Sequence, residues 1–217
     1  MARTRVLEAI ARERIVAIVR GLDTDRALVS VAALHKAGIR LVEVTCNSPA
    51  AMDTIRALRA AYGDTLLVGA GTVLDVDTVQ AARAAGAGFI LSPDTDAQVI
   101  AATRGADLVS VPGAMSPTEA RIAMRAGADI VKIFPAGAVG PGYIKDLLGP
   151  LPDGRFMAVG GVNLENIAEF LQAGAMAAGV GGALLDTTLI AAGDMAGLTA
   201  LAGRFLDAAA GREGGAA

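Results

Sequence analysis

In the stretch ADIVKIFPAG, residues 128–137, a single lysine stands in an apolar run that reads as a buried β-strand. A charge inside such a strand costs on the order of several kcal/mol unless it is paired or used. Of 19 basic residues only Lys36, Lys132 and Lys145 are lysines, so the chain leans on arginine nearly everywhere else. Arginine keeps its proton and forms no imine, whereas a desolvated lysine near another cation loses its proton readily enough to attack a ketone. Lys132 is therefore a candidate Schiff-base nucleophile. Glu43, in the middle of RLVEVT, is the matching proton carrier. Imine formation needs an acid to release water, carbon–carbon cleavage needs a base at a hydroxyl group, and enamine discharge needs an acid again. One carboxyl group with a pKa raised by burial serves all three steps. A buried Lys132–Glu43 ion pair that only holds the fold together is the structural alternative. Arg20, which ends IVAIVR, suits a substrate carboxylate in bidentate geometry or a salt bridge at the rim. Thr72, in GAGT, offers a hydroxyl to the same carboxylate or is a plain turn residue.

These residues need elements to carry them. Apolar runs rich in β-branched residues recur at 15–20, 40–45, 65–70, 88–92, 107–111, 129–134, 155–159 and 176–181. Each has ordinary strand length. Helical patterns lie between them, among them DRALVSVAALHKAG, PAAMDTIRALRAAYG, DVDTVQAARAAG and LENIAEFLQAG, several following Thr, Ser, Asp or Asn and several ending in Gly. Eight apolar strands with a helix after nearly every one imply parallel strands under helices, hence an α/β fold, a (β/α)8 TIM barrel. An open doubly wound sheet is the other architecture, and the lack of a GxGxxG turn after the first strand counts against it. Residues 1–14 read as an extra N-terminal helix, 1–217 as a single domain, and only the tail AAAGREGGAA as frayed.

A parallel barrel does its chemistry where the strands end. Alternation puts Ile130, Lys132 and Phe134 on one face, as it does Leu41, Glu43 and Thr45. The fourth strand ends in Ser92, Pro93 and Asp94, the fifth in Pro112 and Gly113, the sixth in Phe134 and Pro135. Gly160 and Gly161 follow strand seven, with Asn163 placed to cap the next helix, and Gly181 and Gly182 follow strand eight. Glycine lets backbone N–H groups approach an anion closely, and the loops after strands seven and eight form a common phosphate site in barrels.

His35, the only histidine, lies mid-helix and reads as a surface or packing residue, which disfavours histidine acid/base chemistry and a histidine-rich metal site. Cys46, the only cysteine, rules out an internal disulfide and a cysteine-based zinc site, points to an intracellular setting, and reads as packing. Asp94 and Asp96 read as a solvated loop rather than a metal site. A net charge of −3 without a basic stripe disfavours nucleic acid, and no apolar stretch reaches membrane-span length. Hydrophobic residues at 53% against 19% charged supply a substantial core.

In order and spacing, IVAIVRG, LVEVTCNSP, VGAGTVL, FILSP, VPGAMSPTEA, VKIFPAGAVGPGYIK and AVGGVNLENI resemble the class I 2-keto-3-deoxy-6-phosphogluconate / 2-keto-3-deoxy-6-phosphogalactonate aldolase family, which includes 4-hydroxy-2-oxoglutarate aldolase activity. The resemblance covers roughly residues 6–207. It implies a Schiff base on Lys132, acid/base work by Glu43, a pyruvyl carboxylate held by Arg20 and Thr72, release of pyruvate and glyceraldehyde 3-phosphate, no metal or other cofactor, and a cytoplasmic homotrimer. Two departures bear on substrate. Val159 stands where gluconate-type enzymes usually carry threonine, and with Asn47, Ser48 and Pro49 it looks like the galactonate-type pattern, which differs in configuration at C4. Gly182 stands where the family often has serine, which removes a hydroxyl donor to phosphate and keeps a shorter, unphosphorylated acid open as substrate. A phosphate-binding isomerase or epimerase barrel and a non-catalytic ligand-binding barrel are the remaining rivals.

Overall fold

The structure, a computed structural model, describes residues 3–211. Its strands are β1 (Ile15–Val19), β2 (Leu41–Thr45), β3 (Leu67–Gly71), β4 (Phe89–Leu91), β5 (Val109–Val111), β6 (Gly113–Ala114), β7 (Val131–Ile133), β8 (Phe156–Val159) and β9 (Ala177–Val180). Every pairing between them is parallel, in the order β5-β4-β3-β2-β1-β9-β8-β7-β6. The two ends of that order are consecutive in the chain, separated only by Pro112. β5 pairs with β4, β6 pairs with β7, and the Pro112 carbonyl accepts from the Lys132 N–H at 2.8 Å. The sheet therefore closes through one bent segment, 109–114, which is the fifth of the eight expected strands. Proline has no N–H to give a ladder, so the strand breaks in two there.

The helices are α1 (Arg3–Glu13), α2 (Thr24–Ala37), α3 (Ala51–Tyr62), α4 (Val76–Ala84), α5 (Ala97–Gly105), α6 (Pro117–Ala126), α7 (Pro141–Leu148), α8 (Ile167–Gln172), α9 (Thr187–Ala192) and α10 (Met195–Ala209). Asp23, Asp75, Asp96, Ser116, Asp186 and Asp194 accept hydrogen bonds from first-turn N–H groups, as N-caps should. Helix α3 departs from that rule: it follows Ala50, which is left-handed at φ 48° and gives no side-chain cap. Asp96 caps α5. Ala208 and Ala209, read from sequence as frayed, close α10, while 212–217 and residues 1–2 of the expected first helix lie outside the described residues.

Alternation divides the core in two. One side chain set, including Ala17, Val42, Val68, Ile90, Val131 and Ala178, packs against the helices. The other, including Val16, Leu41, Leu67, Phe89, Val109, Ile130 and Met157, fills the barrel, and Val6, Ala9 and Ile10 of α1 join it from below. Helix α1 is a plug that seals the end opposite the strand termini. It is latched by Asp129, whose 6% exposed carboxylate takes Arg3 at 2.5 Å, Arg104 at 2.7 Å and the Ser110 N–H at 3.0 Å. No helix is long and apolar enough to cross a membrane among the described residues.

Removing the latch strands a buried N–H and frees two guanidinium groups. Asp129→Ala is expected to destabilise the protein by about 2 kcal/mol, read as a lower urea midpoint. A surface substitution such as Asp53→Ala, whose carboxylate is 71% exposed, should leave the midpoint in place.

Candidate active site

Lys132 and Glu43 both point into the barrel, 4% and 1% exposed. Room for Glu43 comes from β3, which above Leu67 carries glycines at its inward positions: a Cβ on Gly71 would overlap the Glu43 carboxyl group, and one on Gly69 would overlap the Phe89 ring. Among the described residues no carboxylate lies within 4.0 Å of the Lys132 amine. The ion pair held open as an alternative is not made. The Lys132 Nζ lies 4.6 Å from the centre of the Phe134 ring instead, and Glu43 Oε2 is buried with no hydrogen-bond partner among the described residues.

Burial dominates the electrostatics of both groups. It pushes the Lys132 amine below its usual value of 10.5, opposed by Glu43, assisted by the positive charge of Arg20 and opposed more weakly by Asp94. It pushes the Glu43 carboxyl group above its usual value, against the pull of Lys132 and then Arg20. Desolvation thus favours a neutral amine, which is a nucleophile, beside a neutral carboxyl group, which is an acid. Asp94 acts on Lys132 although it is exposed; its influence was not legible in the motif SPD, because it depends on where the loop after β4 folds back.

Arg20 follows β1 directly and is exposed, before Gly21 at φ 71°. Thr72 is half-buried and left-handed at φ 56°, a conformation that costs a β-branched residue about 1–2 kcal/mol. GAGT gave no sign of that strain. Pro93 is half-buried at the end of β4, and Pro112 is buried at the fifth-strand break. Cys46 is a half-buried thiol whose pKa is pushed up to about 11 by burial, then by Glu43 and Asp75, so it is a poor nucleophile at neutral pH. His35 lies away from the strand termini, its ring 4.7 Å from that of Tyr62 and its Nε2 buried without a partner.

A cavity of about 360 Å³ is lined by Arg20, Phe134, Val159, Asn163 and both glycine pairs, while Lys132, Glu43, Thr72, Pro93 and Pro112 stand outside its lining. Phe134 joins it to the Lys132 amine. The two glycine pairs differ. Gly160 and Gly161 are left-handed at φ 85° and 80°, back to back with Gly137, whose N–H donates to the Gly160 carbonyl at 2.7 Å; side chains there would collide. Gly182 has open space where a Cβ would go, so packing does not require glycine at that position. The helices after these turns begin only at Ile167 and Thr187, so their N-termini stand back from the glycines. Asn163 caps the turn at 164–166 rather than α8 itself.

Lys132 attacks only when neutral, so its reaction with an acylating reagent should rise with pH through a midpoint below 10.5. Wherever Glu43 is ionised, its negative charge holds protons on Lys132. Glu43→Gln removes that charge and should move the midpoint to still lower pH. Peptide mass spectrometry across a pH series reads both, and a midpoint at or above 10.5, or an upward move in the variant, would overturn this account.

The family KDPG and KHG aldolase matches residues 6–201. The chain is 44% identical over 168 residues to the 2-dehydro-3-deoxy-6-phosphogalactonate aldolase of Escherichia coli strain K12, covering 77% of this chain and 82% of that one. It is 37% identical over 202 residues to the 2-dehydro-3-deoxy-phosphogluconate aldolase of Treponema pallidum strain Nichols, covering 93% and 96%. A crystal structure of the KDPG aldolase from Legionella pneumophila, with pyruvate captured at low pH as a covalent carbinolamine, superposes with a TM-score of 0.85 at 27% identity over 91% of this chain and 96% of that one. On a closed parallel barrel carrying a buried lysine and glutamate at its mouth, these matches leave one assignment: the chain belongs to the KDPG and KHG aldolase family.

Proposed function

We propose that this chain is a class I aldolase that cleaves a 2-keto-3-deoxy-6-phospho sugar acid to pyruvate and glyceraldehyde 3-phosphate. The observation that carries the reading is an amine and a carboxyl group buried together without an ion pair, each driven by desolvation toward its neutral form. Lys132 Nζ attacks the C2 carbonyl carbon. Glu43 gives its proton to the carbinolamine hydroxyl, water leaves, and an iminium forms. The Glu43 carboxylate then takes the C4 hydroxyl proton. The C3–C4 bond breaks, its electron pair passes through the new C2–C3 double bond to the iminium nitrogen, and the aldehyde departs. Protonation of the enamine at C3 by Glu43 and hydrolysis of the iminium release pyruvate and restore the amine. Arg20 and Thr72 hold the pyruvyl carboxylate, and Pro93, Pro112 and Phe134 wall the pyruvyl end. The phosphate lies against Gly160, Gly161, Gly181 and Gly182, where backbone N–H groups are unobstructed by side chains. Val159 lines the cavity with no hydroxyl to offer, which favours the galactonate epimer at C4. Residues 1–217 act as one domain, in a cytoplasmic homotrimer of the kind the resemblance implies.

Gly182 favours a second reading. It leaves the distal end of the cavity without a side-chain hydroxyl, as suits a shorter acid such as 4-hydroxy-2-oxoglutarate. The ratio of kcat/KM for phosphorylated and unphosphorylated acids decides between the two.

Borohydride reduction in the presence of pyruvate should attach a pyruvyl group to the peptide containing Lys132. Lys132→Met should abolish both that adduct and cleavage. Cleavage at the wild-type rate in Lys132→Met, or a folded wild-type protein with no adduct at saturating pyruvate, would sink the aldolase reading and return the isomerase barrels to consideration.

A further inference from the structure

Arg20 and Asn163 are the two polar side chains among the residues that line the mouth cavity. Asn163 is held from both sides. Its Oδ1 accepts from the N–H of Glu165 at 2.9 Å and of Asn166 at 3.1 Å. Its own N–H donates to Asn166 Oδ1 at 2.9 Å, and Asn166 Nδ2 donates in turn to the Gly161 carbonyl at 2.9 Å. The amide has therefore one allowed orientation, because turning it over would set an NH2 group against two N–H donors. Its oxygen is spent on the backbone. Its Nδ2, with two hydrogens, has no acceptor among the described residues, and half-buried Asn163 lines the cavity together with Gly161 and Gly182.

A group fixed as donor-only at the edge of a cavity, tied through Asn166 to the glycine turn itself, is suited to an anionic oxygen. We infer that Asn163 is a specificity-determining residue, whose Nδ2 donates to the phosphate of the substrate and so separates phosphorylated from unphosphorylated acids. The inference rests on the reading above that the distal end of the substrate lies against the glycine turns. It also meets the difficulty at Gly182: the side-chain donor missing from the loop after β9 is supplied by the loop after β8.

The decisive substitution is Asn163→Asp. Aspartate keeps an oxygen for the N–H groups of Glu165 and Asn166, so the turn survives, and it replaces the NH2 donor with an anionic oxygen that repels phosphate. The expected result is a fall in kcat/KM for the phosphorylated acid of roughly ten- to a hundredfold. Cleavage of an unphosphorylated 2-keto-4-hydroxy acid, the pyruvate–borohydride adduct on Lys132 and the melting temperature should stay at wild-type levels. Asn163→Ser, which keeps a shorter capping oxygen and adds no charge, should lose less. Equal losses on both substrates would reduce Asn163 to a turn residue, and no loss on either would remove it from the site; both overturn the inference. A wild-type enzyme indifferent to the phosphate would instead overturn the placement of phosphate at the glycine turns, and the inference with it.

Discussion

Two ionisable groups held inside an apolar barrel, close enough to feel each other and not close enough to pair, are what the rest of the structure accommodates. Contact between Lys132 and Glu43 would restore full charge to both, since an adjacent opposite charge offsets desolvation. Separation lets desolvation lead, and it is the largest influence on each. The separation needs volume, which β3 supplies by carrying no side chain at Gly69 and Gly71. Desolvation needs dryness, which the apolar barrel interior and the α1 plug supply. The Phe134 ring lies against the ammonium form without fixing its proton as a carboxylate would.

The barrel divides its labour by end. Below, α1 and the Asp129 latch tie three elements with charged hydrogen bonds that have no role in chemistry. Above, the polar groups are left unsatisfied or strained: Glu43 Oε2 has no partner, Thr72 is left-handed, and Asn163 Nδ2 has no acceptor among the described residues. Unsatisfied polar groups and strained backbone are destabilising, and they persist where the surrounding structure over-determines them.

Much of this was legible in the sequence, because it follows from period and parity. The strand positions, the face that Lys132 shares with Ile130 and Phe134, the face that Glu43 shares with Leu41 and Thr45, and the place of the glycine pairs depend on local pattern alone; which face turns inward does not. What was not legible depends on where loops return. Pro112 was read as a strand terminus; that it splits one strand between two neighbours emerges only when the barrel closes. Asp94 was read as solvated and is exposed; its weak pull on Lys132 adds to that reading and depends on the path of the loop after β4. Asn163 was read as a helix cap, and the consequence of capping a turn, an amide oriented with its donors free, needs the partners Glu165 and Asn166 in place. The two glycine pairs look alike as letters; the backbone requires one and merely admits the other at Gly182.

Arg20 gives the electrostatics a direction. Its charge assists loss of the proton from Lys132 and opposes retention of the proton on Glu43. The first effect is useful before the substrate reacts, when a free amine is needed. The second is a handicap afterwards, when Glu43 must still hold a proton to expel water from the carbinolamine. On the proposed mechanism Arg20 binds the pyruvyl carboxylate, and the two needs are met in turn. The free enzyme has the full positive charge of Arg20 favouring the neutral amine. The bound carboxylate cancels that charge, relieves the pull on Glu43, and leaves burial to keep its proton in place. On that mechanism substrate binding favours the protonated Glu43 at the step that needs an acid.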